Sequence, residues 1–425
     1  MSEGSGIKQG EIGFSYALIG YSKSELISFT DLFCRLTTQH MKLFVHTLMG
    51  AVWLGALLSA GNIPNPLAVL DGEHSVSNWE EMGRSQTLKV FSEQVFGITP
   101  SGQILSEWKL DRESEALGGK AIRREYSLTF KKSVSARVLV YLPKSSEPVP
   151  VFMGLNANGN HTIEKDAWIT SGGVAKRGKS SQRWPLEMII KSGRGLVTVH
   201  CADFDPDEND GFKNGVHGLF PAARDDKSWG TLGAWAWGMS RILDQLATVP
   251  EIDEKRVAVI GFSRLGKAAL WAGAQDERFA MVVSSSSGCG GAALSKRRKG
   301  ETVGKITRSF PHWFCGHFAK YSNKESEMAF DQHQLLACIA PRPIYVSSAS
   351  EDSWADPEGE FLALIHAAPV YALYHQMPFE GQGLPEPGVK VGGHLMRYHL
   401  SEGRHNITSW DWERYLTASE DWLKK

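Results

Sequence analysis

The stretch from Arg256 to Ala274 constrains this chain more than any other. The apolar run Val257-Ala258-Val259-Ile260 stops at Gly261, Ser263 follows Phe262, and Leu265-Gly266-Lys267-Ala268-Ala269-Leu270-Trp271 has the composition of a helix rich in small residues. Strand, sharp turn and helix in that order make a nucleophile elbow, with the serine at the carboxyl end of a strand and the N-terminus of the next helix aimed at it. Gly261 and Gly266 supply the backbone torsions or close approach that a side chain would forbid. Unpaired N–H groups at such a helix start can hold the negative charge that develops during acyl transfer.

The same residues admit two other readings. Gly261-Phe262-Ser263-Arg264-Leu265-Gly266-Lys267 fits the first seven positions of the phosphate-cradling pattern G-x-x-x-x-G-K-[ST], but Ala268 stands eighth and has no hydroxyl to offer a magnesium ion. The plainest alternative is a glycine-containing turn with an incidental serine.

Composition narrows the class. The chain has 425 residues, 42% of them apolar, and a net charge of -1, which suits a large globular core and argues against a nucleic-acid partner. Fourteen tryptophans are many for this length; most are expected in the core, and the rest offer flat faces for sugar rings. Five cysteines, at 34, 201, 289, 315 and 338, show no metal-ligand spacing, so neither a metal site nor another cofactor is expected. Cys289 and Cys315 could pair only if the fold brings them together.

Along the chain, Met41-Lys42 followed by the apolar run Leu43 to Leu58 and small residues to Gly61 reads as a secretory signal peptide over 41–60, with 1–40 an extension or a mis-set start. A membrane anchor is the alternative, but after processing no membrane insertion is expected, and the mature protein is expected to be secreted or periplasmic and monomeric. Residues 61–110 read as an irregular arm, and 111–425 as one catalytic domain. Strands are expected at Tyr126–Phe130, Ala136–Pro143, Pro150–Asn156, Gly195–His200, Phe279–Ser284, Ile344–Ser348 and Val370–Tyr374, with a helix from Leu232 to Ala247 and a closing helix from Ile407 to Leu423. Strands alternating with helices give an α/β-hydrolase fold, a three-layer sandwich around a mostly parallel sheet.

A serine is a weak nucleophile without a base, and in this fold the order is serine, acid, histidine. His405, in a loop just before the last helix, is the expected base, with His394 as the alternative. The acid should follow a late strand, and Asp352 in Ser350-Glu351-Asp352-Ser353-Trp354 does so; Glu351 and Asp356 are its rivals.

Taken together, these segments resemble the glucuronoyl esterases, carbohydrate esterase family 15. Gly261-Phe262-Ser263-Arg264-Leu265-Gly266-Lys267 is similar to that family's G-C-S-R-x-G-K elbow, and Ser287-Gly288-Cys289-Gly290-Gly291-Ala292, Gly300-Glu301-Thr302, His312-Trp313-Phe314, Phe330-Asp331-Gln332-His333, Ala340-Pro341-Arg342-Pro343 and Glu351 to Pro357 look like its later motifs in the same order. The resemblance runs over roughly residues 120 to 425. It implies hydrolysis of the ester between (4-O-methyl-)glucuronic acid of glucuronoxylan and a lignin alcohol, with Ser263 as nucleophile, His405 as base, Arg264 beside the oxyanion, and Lys267, Glu301 and Trp354 on the uronate sugar.

Two departures follow from the resemblance. Phe262 replaces a frequent cysteine, so the disulfide of fungal members cannot form. Ser286 stands where many members carry the catalytic glutamate, which leaves Asp352 as the matching acid, as in some bacterial members. An acetyl or feruloyl esterase, or a non-catalytic carbohydrate-binding relative, is the alternative function.

Overall fold

Alternation of side chains along the central strands builds the layers of this molecule. In the computed structural model, which describes residues 63–424 except 71, 103, 376–378 and 380–382, the strands are β1 (Ser106–Ala116), β2 (Ala121–Phe130), β3 (Val134–Pro143), β4 (Val149–Asn156), β5 (Gly195–His200), β6 (Ile252–Phe262), β7 (Met281–Ser285), β8 (Ile344–Ala349), β9 (Lys390–Gly392) and β10 (Met396–Ser401). They form one sheet in the order β1-β2-β3-β5-β4-β6-β7-β8-β10-β9. From β5 to β10 the neighbours are parallel; β1, β2 and β3 extend one edge antiparallel, and β9 the other.

Val257 and Val259 of β6 enter one apolar layer with Val282 and Val346, while Ala258 and Ile260 enter the other with Met281, Val283 and Tyr345. A strand apolar on both faces needs cover on both. Helices α1 (Arg84–Phe91), α3 (Thr231–Leu246), α4 (Arg264–Gln275) and α5 (Pro357–Leu373) cover the first face, and α2 (Leu186–Lys191) with α6 (Ser409–Trp422) cover the second. The expected three-layer α/β-hydrolase fold is present.

Two expectations need correction. Val370 to Leu373 is not a strand but the last turn of α5, where Val370 and Tyr371 are buried; a short apolar run suits a buried helix as well as a buried strand. The arm before β1 is not irregular: helical turns run through Val76–Asn78, Trp79–Gly83, α1 and Ser92–Phe96. Two of these segments are π-helical, which breaks the 3.6-residue period that sequence reading depends on. Trp79, Phe91 and Phe96 are fully buried, Phe96 stacks on Trp271 of α4 at 4.6 Å, and Arg84 donates to the carbonyls of Ala274 (2.6 Å) and Cys338 (3.0 Å).

Cys201, Cys289, Cys315 and Cys338 are buried free thiols. Cys289 and Cys315 do not pair: the Cys289 Sγ faces the Ser295 hydroxyl and the Cys315 Sγ the carbonyl of Glu93. The segment read as a signal peptide, and Cys34, lie outside the described residues. Among those residues no helix is long and apolar enough to cross a membrane.

Candidate active site

The elbow is built as its residues require. Ser263, between β6 and α4, has φ 59° and ψ −130°, a left-handed conformation that a residue with a side chain adopts only at a cost of about 1–3 kcal/mol. A Cβ on Gly261 would lie 2.0 Å from the Leu265 carbonyl oxygen, and one on Gly266 3.0 Å from Ser287 Cβ, so the turn closes only with glycine at 261 and tolerates little at 266. The Ser263 N–H donates to Ser285 O at 2.9 Å, which ties the elbow to the end of β7. The Arg264 and Leu265 amides open α4, where a helix has no internal acceptor for them.

Asp352 follows β8 and His405 lies between β10 and α6, so both leave the sheet on the edge where β6 delivers Ser263. His405 Nδ1 lies 2.5 Å from Asp352 Oδ2, and the Asp352 carboxylate is buried. The two loops are also joined by Glu351 N–H to Gly403 O (2.8 Å) and Gly403 N–H to Ser350 Oγ (3.1 Å). With Nδ1–H donated to Asp352, Nε2 carries the lone pair of a base. Ser263 and His405 line one cavity of about 380 Å³.

The rivals are placed elsewhere. His394 precedes β10, at the opposite end of the parallel strands, and its carbonyl accepts from Trp422 Nε1. Glu351 faces solvent beside Arg404 at 3.5 Å, and Asp356 pairs with Arg297 at 2.9 Å. Ser286 is buried at φ 45° with its hydroxyl unpartnered.

Arg264 points to a residue the sequence did not mark. Its guanidinium pairs with Asp207 and lies 4.8 Å from the Trp313 ring and 5.2 Å from that of Phe310. Asp207 also accepts from His312 Nε2 (3.0 Å) and Trp313 Nε1 (2.6 Å). Burial alone would raise this carboxyl, but hydrogen bonds from His312 and Trp313 and the charge of Arg264 outweigh it and hold it at about 2. The His312-Trp313 motif was visible in the sequence; its partner in the loop after β5 was not.

Lys267, Glu301 and Trp354 form a connected line. Lys267, 3% exposed, donates to Ser287 O (2.6 Å), Cys289 O (2.7 Å) and Glu301 Oε2 (2.7 Å). Trp354 Nε1 donates to Glu301 Oε1 at 3.0 Å, while 49% of Trp354 is open to solvent. A lysine with all three protons engaged has none for a nucleotide phosphate, which removes the phosphate-loop reading. Beneath lies Glu360, fully buried, accepting from the amides of Ser287 (2.6 Å) and Gly288 (3.0 Å) and the hydroxyls of Ser287 (3.0 Å) and Ser348 (2.5 Å). Burial pushes its carboxyl up to about 7 against those hydrogen bonds.

An elbow serine, a histidine–carboxylate pair and an arginine beside the helix start, on this sheet, define a serine hydrolase of the α/β-hydrolase class. The family profile described as glucuronyl esterase, fungi, matches residues 128–374. Carbohydrate esterase MZ0003 from an unknown prokaryotic organism is 41% identical over 385 residues, 84% of this chain and 89% of that protein. The chain belongs to the glucuronoyl esterase family. A 4-O-methyl-glucuronoyl methylesterase of Wolfiporia cocos is 34% identical over 288 residues, 64% of this chain and 67% of that one. Among solved structures, a glucuronoyl esterase from Solibacter usitatus superposes with a TM-score of 0.81 at 36% identity, covering 85% of this chain and 98% of its own. A promiscuous CE15 esterase from a marine bacterial metagenome gives 0.80 at 40% identity, with 85% and 97% covered.

Proposed function

We propose that this protein hydrolyses the ester between the carboxyl group of glucuronic or 4-O-methyl-glucuronic acid on glucuronoxylan and an alcohol of lignin. The observation that carries the reading is the His405–Asp352 pair opening on the cavity that Ser263 lines, in a chain of this family. Ser263 Oγ attacks the uronate carbonyl as His405 Nε2 takes its proton; Asp352 holds the imidazole in that tautomer and balances the imidazolium. The Arg264 guanidinium and the amides at the start of α4 stabilise the oxyanion. Collapse expels the alcohol, which takes the proton from His405, and water repeats the sequence to release the acid and free Ser263.

Trp354 and Glu301 are the proposed sugar contacts, with the exposed indole beside the ring and the carboxylate accepting from its hydroxyls, while Lys267, its three protons engaged, acts by holding Glu301 in place. Turnover of a methyl glucuronate ester, compared with an acetyl ester of the same polysaccharide, tests the reading. Preference for the uronate ester, abolished by Ser263→Ala, is the expected result; preference for the acetyl ester would replace it with a general acetylesterase. A similar protein described as promiscuous makes both substrates necessary in that assay. We also propose export, on the pattern Met41 to Gly61; finding the native protein in the cytoplasm with residues 41–60 attached would overturn it.

A further inference from the structure

His405 needs more than its acid to hold it. Its side chain is 38% exposed, and among the described residues its ring makes one hydrogen bond, to Asp352. Such a bond fixes a point and a direction but leaves the ring free to turn about that line. The plane of the ring decides where Nε2 points, and a small misdirection at the reacting atoms is expensive in rate.

Phe262 lies where it can fix that plane. It is the last residue of β6, two positions beyond Ile260, so strand alternation sends its side chain toward the layer of α6. There its ring centroid is 4.6 Å from that of His405, with the planes at 37°. Arg183 brackets the arrangement: its guanidinium lies 5.1 Å from the Phe262 ring, and its Nε donates to Asn406 Oδ1, next to His405, at 3.1 Å. The Arg183 carbonyl is in turn fixed by Trp412 Nε1 of α6 at 2.9 Å.

We propose that Phe262 is a positioning residue for His405, setting the plane of the imidazole, and that Arg183 clamps the phenyl ring to the loop that carries the base. Nucleophile and base are then registered through one backbone, because the residue that orients His405 is the immediate neighbour of Ser263. An aromatic face beside the ring also suits the imidazolium that forms when His405 takes the proton.

The inference rests on Ser263 and His405 being the reacting pair, so the test uses 4-nitrophenyl acetate, which needs the pair but not the uronate site, alongside a methyl glucuronate ester. Phe262→Ala and Phe262→Leu are expected to lower kcat about tenfold on both esters with KM within about twofold, and Phe262→Tyr to recover most of the loss, as for a lost aromatic contact. Phe262→Leu keeps an apolar side chain in place, so its melting temperature separates positioning from packing. Arg183→Met should lower kcat less, and combining it with Phe262→Ala should add little. Wild-type kcat in Phe262→Leu, a kcat loss that tracks the melting temperature without recovery by Tyr, or full additivity with Arg183→Met would overturn the proposal. Undiminished turnover in Ser263→Ala would instead remove the serine-esterase reading beneath it.

Discussion

Asp352 and His405 are 53 residues apart in the chain and 2.5 Å apart at Oδ2 and Nδ1. The carboxylate is buried and the imidazole partly open, an arrangement in which the acid's charge acts on the ring with little screening while the ring still reaches the cavity.

Asp352→Asn is therefore expected to lower kcat by about ten-thousandfold, the loss measured for the same change in a serine protease, with little effect on melting temperature. Glu351→Gln, on an exposed side chain beside Arg404, should leave kcat nearly unchanged. Steady-state kinetics of both variants check this, and retained activity in Asp352→Asn would move the acid's role elsewhere.

Arg264→Met should cost roughly a hundredfold in kcat, as for other single oxyanion donors. Asp207→Asn keeps one acceptor oxygen for His312 and Trp313 but removes both the charge and the second oxygen that anchor Arg264, and about a tenfold loss is expected. Equal kcat in Asp207→Asn and wild type would show that Phe310 and Trp313 suffice to place the guanidinium.

Lys267→Ala carries two expectations. Leaving Glu301 buried without its ammonium should destabilise the fold by about 3–5 kcal/mol, read from denaturant unfolding. Under conditions where the variant is folded, activity on uronate esters should fall further than activity on acetyl esters, because the Glu301 carboxylate loses the ammonium that holds it in place for the sugar. Parallel losses on the two substrates would confine Lys267 to a structural role.

Glu360 gives the fold a pH dependence of its own. Its folded carboxyl is raised to about 7 from 4.5 by burial, so between those values the native state holds a proton that the unfolded chain releases. Its stabilising contribution is complete below 4.5 and is lost as the pH rises through 7. Melting temperatures of Glu360→Gln and wild type should thus diverge in favour of the variant from pH 4.5 to 7. A constant difference over that window would mean that the four hydrogen bonds to the carboxylate outweigh its burial.

The elbow was legible because everything that makes it is contiguous: an apolar strand, two glycines, a serine and a helix within Arg256 to Ala274. Asp352 and His405 were legible through chain order and the position of the preceding strands. Asp207 was not, since it meets Arg264 across 57 residues from an irregular loop, and no local pattern announces such a pair. The helical turns before β1 were hidden by their π-helical segments, and the end of α5 by an apolar run that two kinds of element can contain. The engagement of every Lys267 proton is a property of packing, which spacing alone does not express.

The contacts of Arg84 and Phe96 with α4 change where the enzyme can be cut. The helix that begins beside Ser263 ends near the Ala274 carbonyl that Arg84 holds, and Phe96 lies flat on its Trp271. Residues 76–96 thus form a fixed abutment for the helix that follows Ser263. A chain begun at residue 111 would keep the packing of that helix on β6, β7 and α3 but lose both of these contacts, so a piece that keeps α4 fully covered starts ahead of the helical turns at Val76.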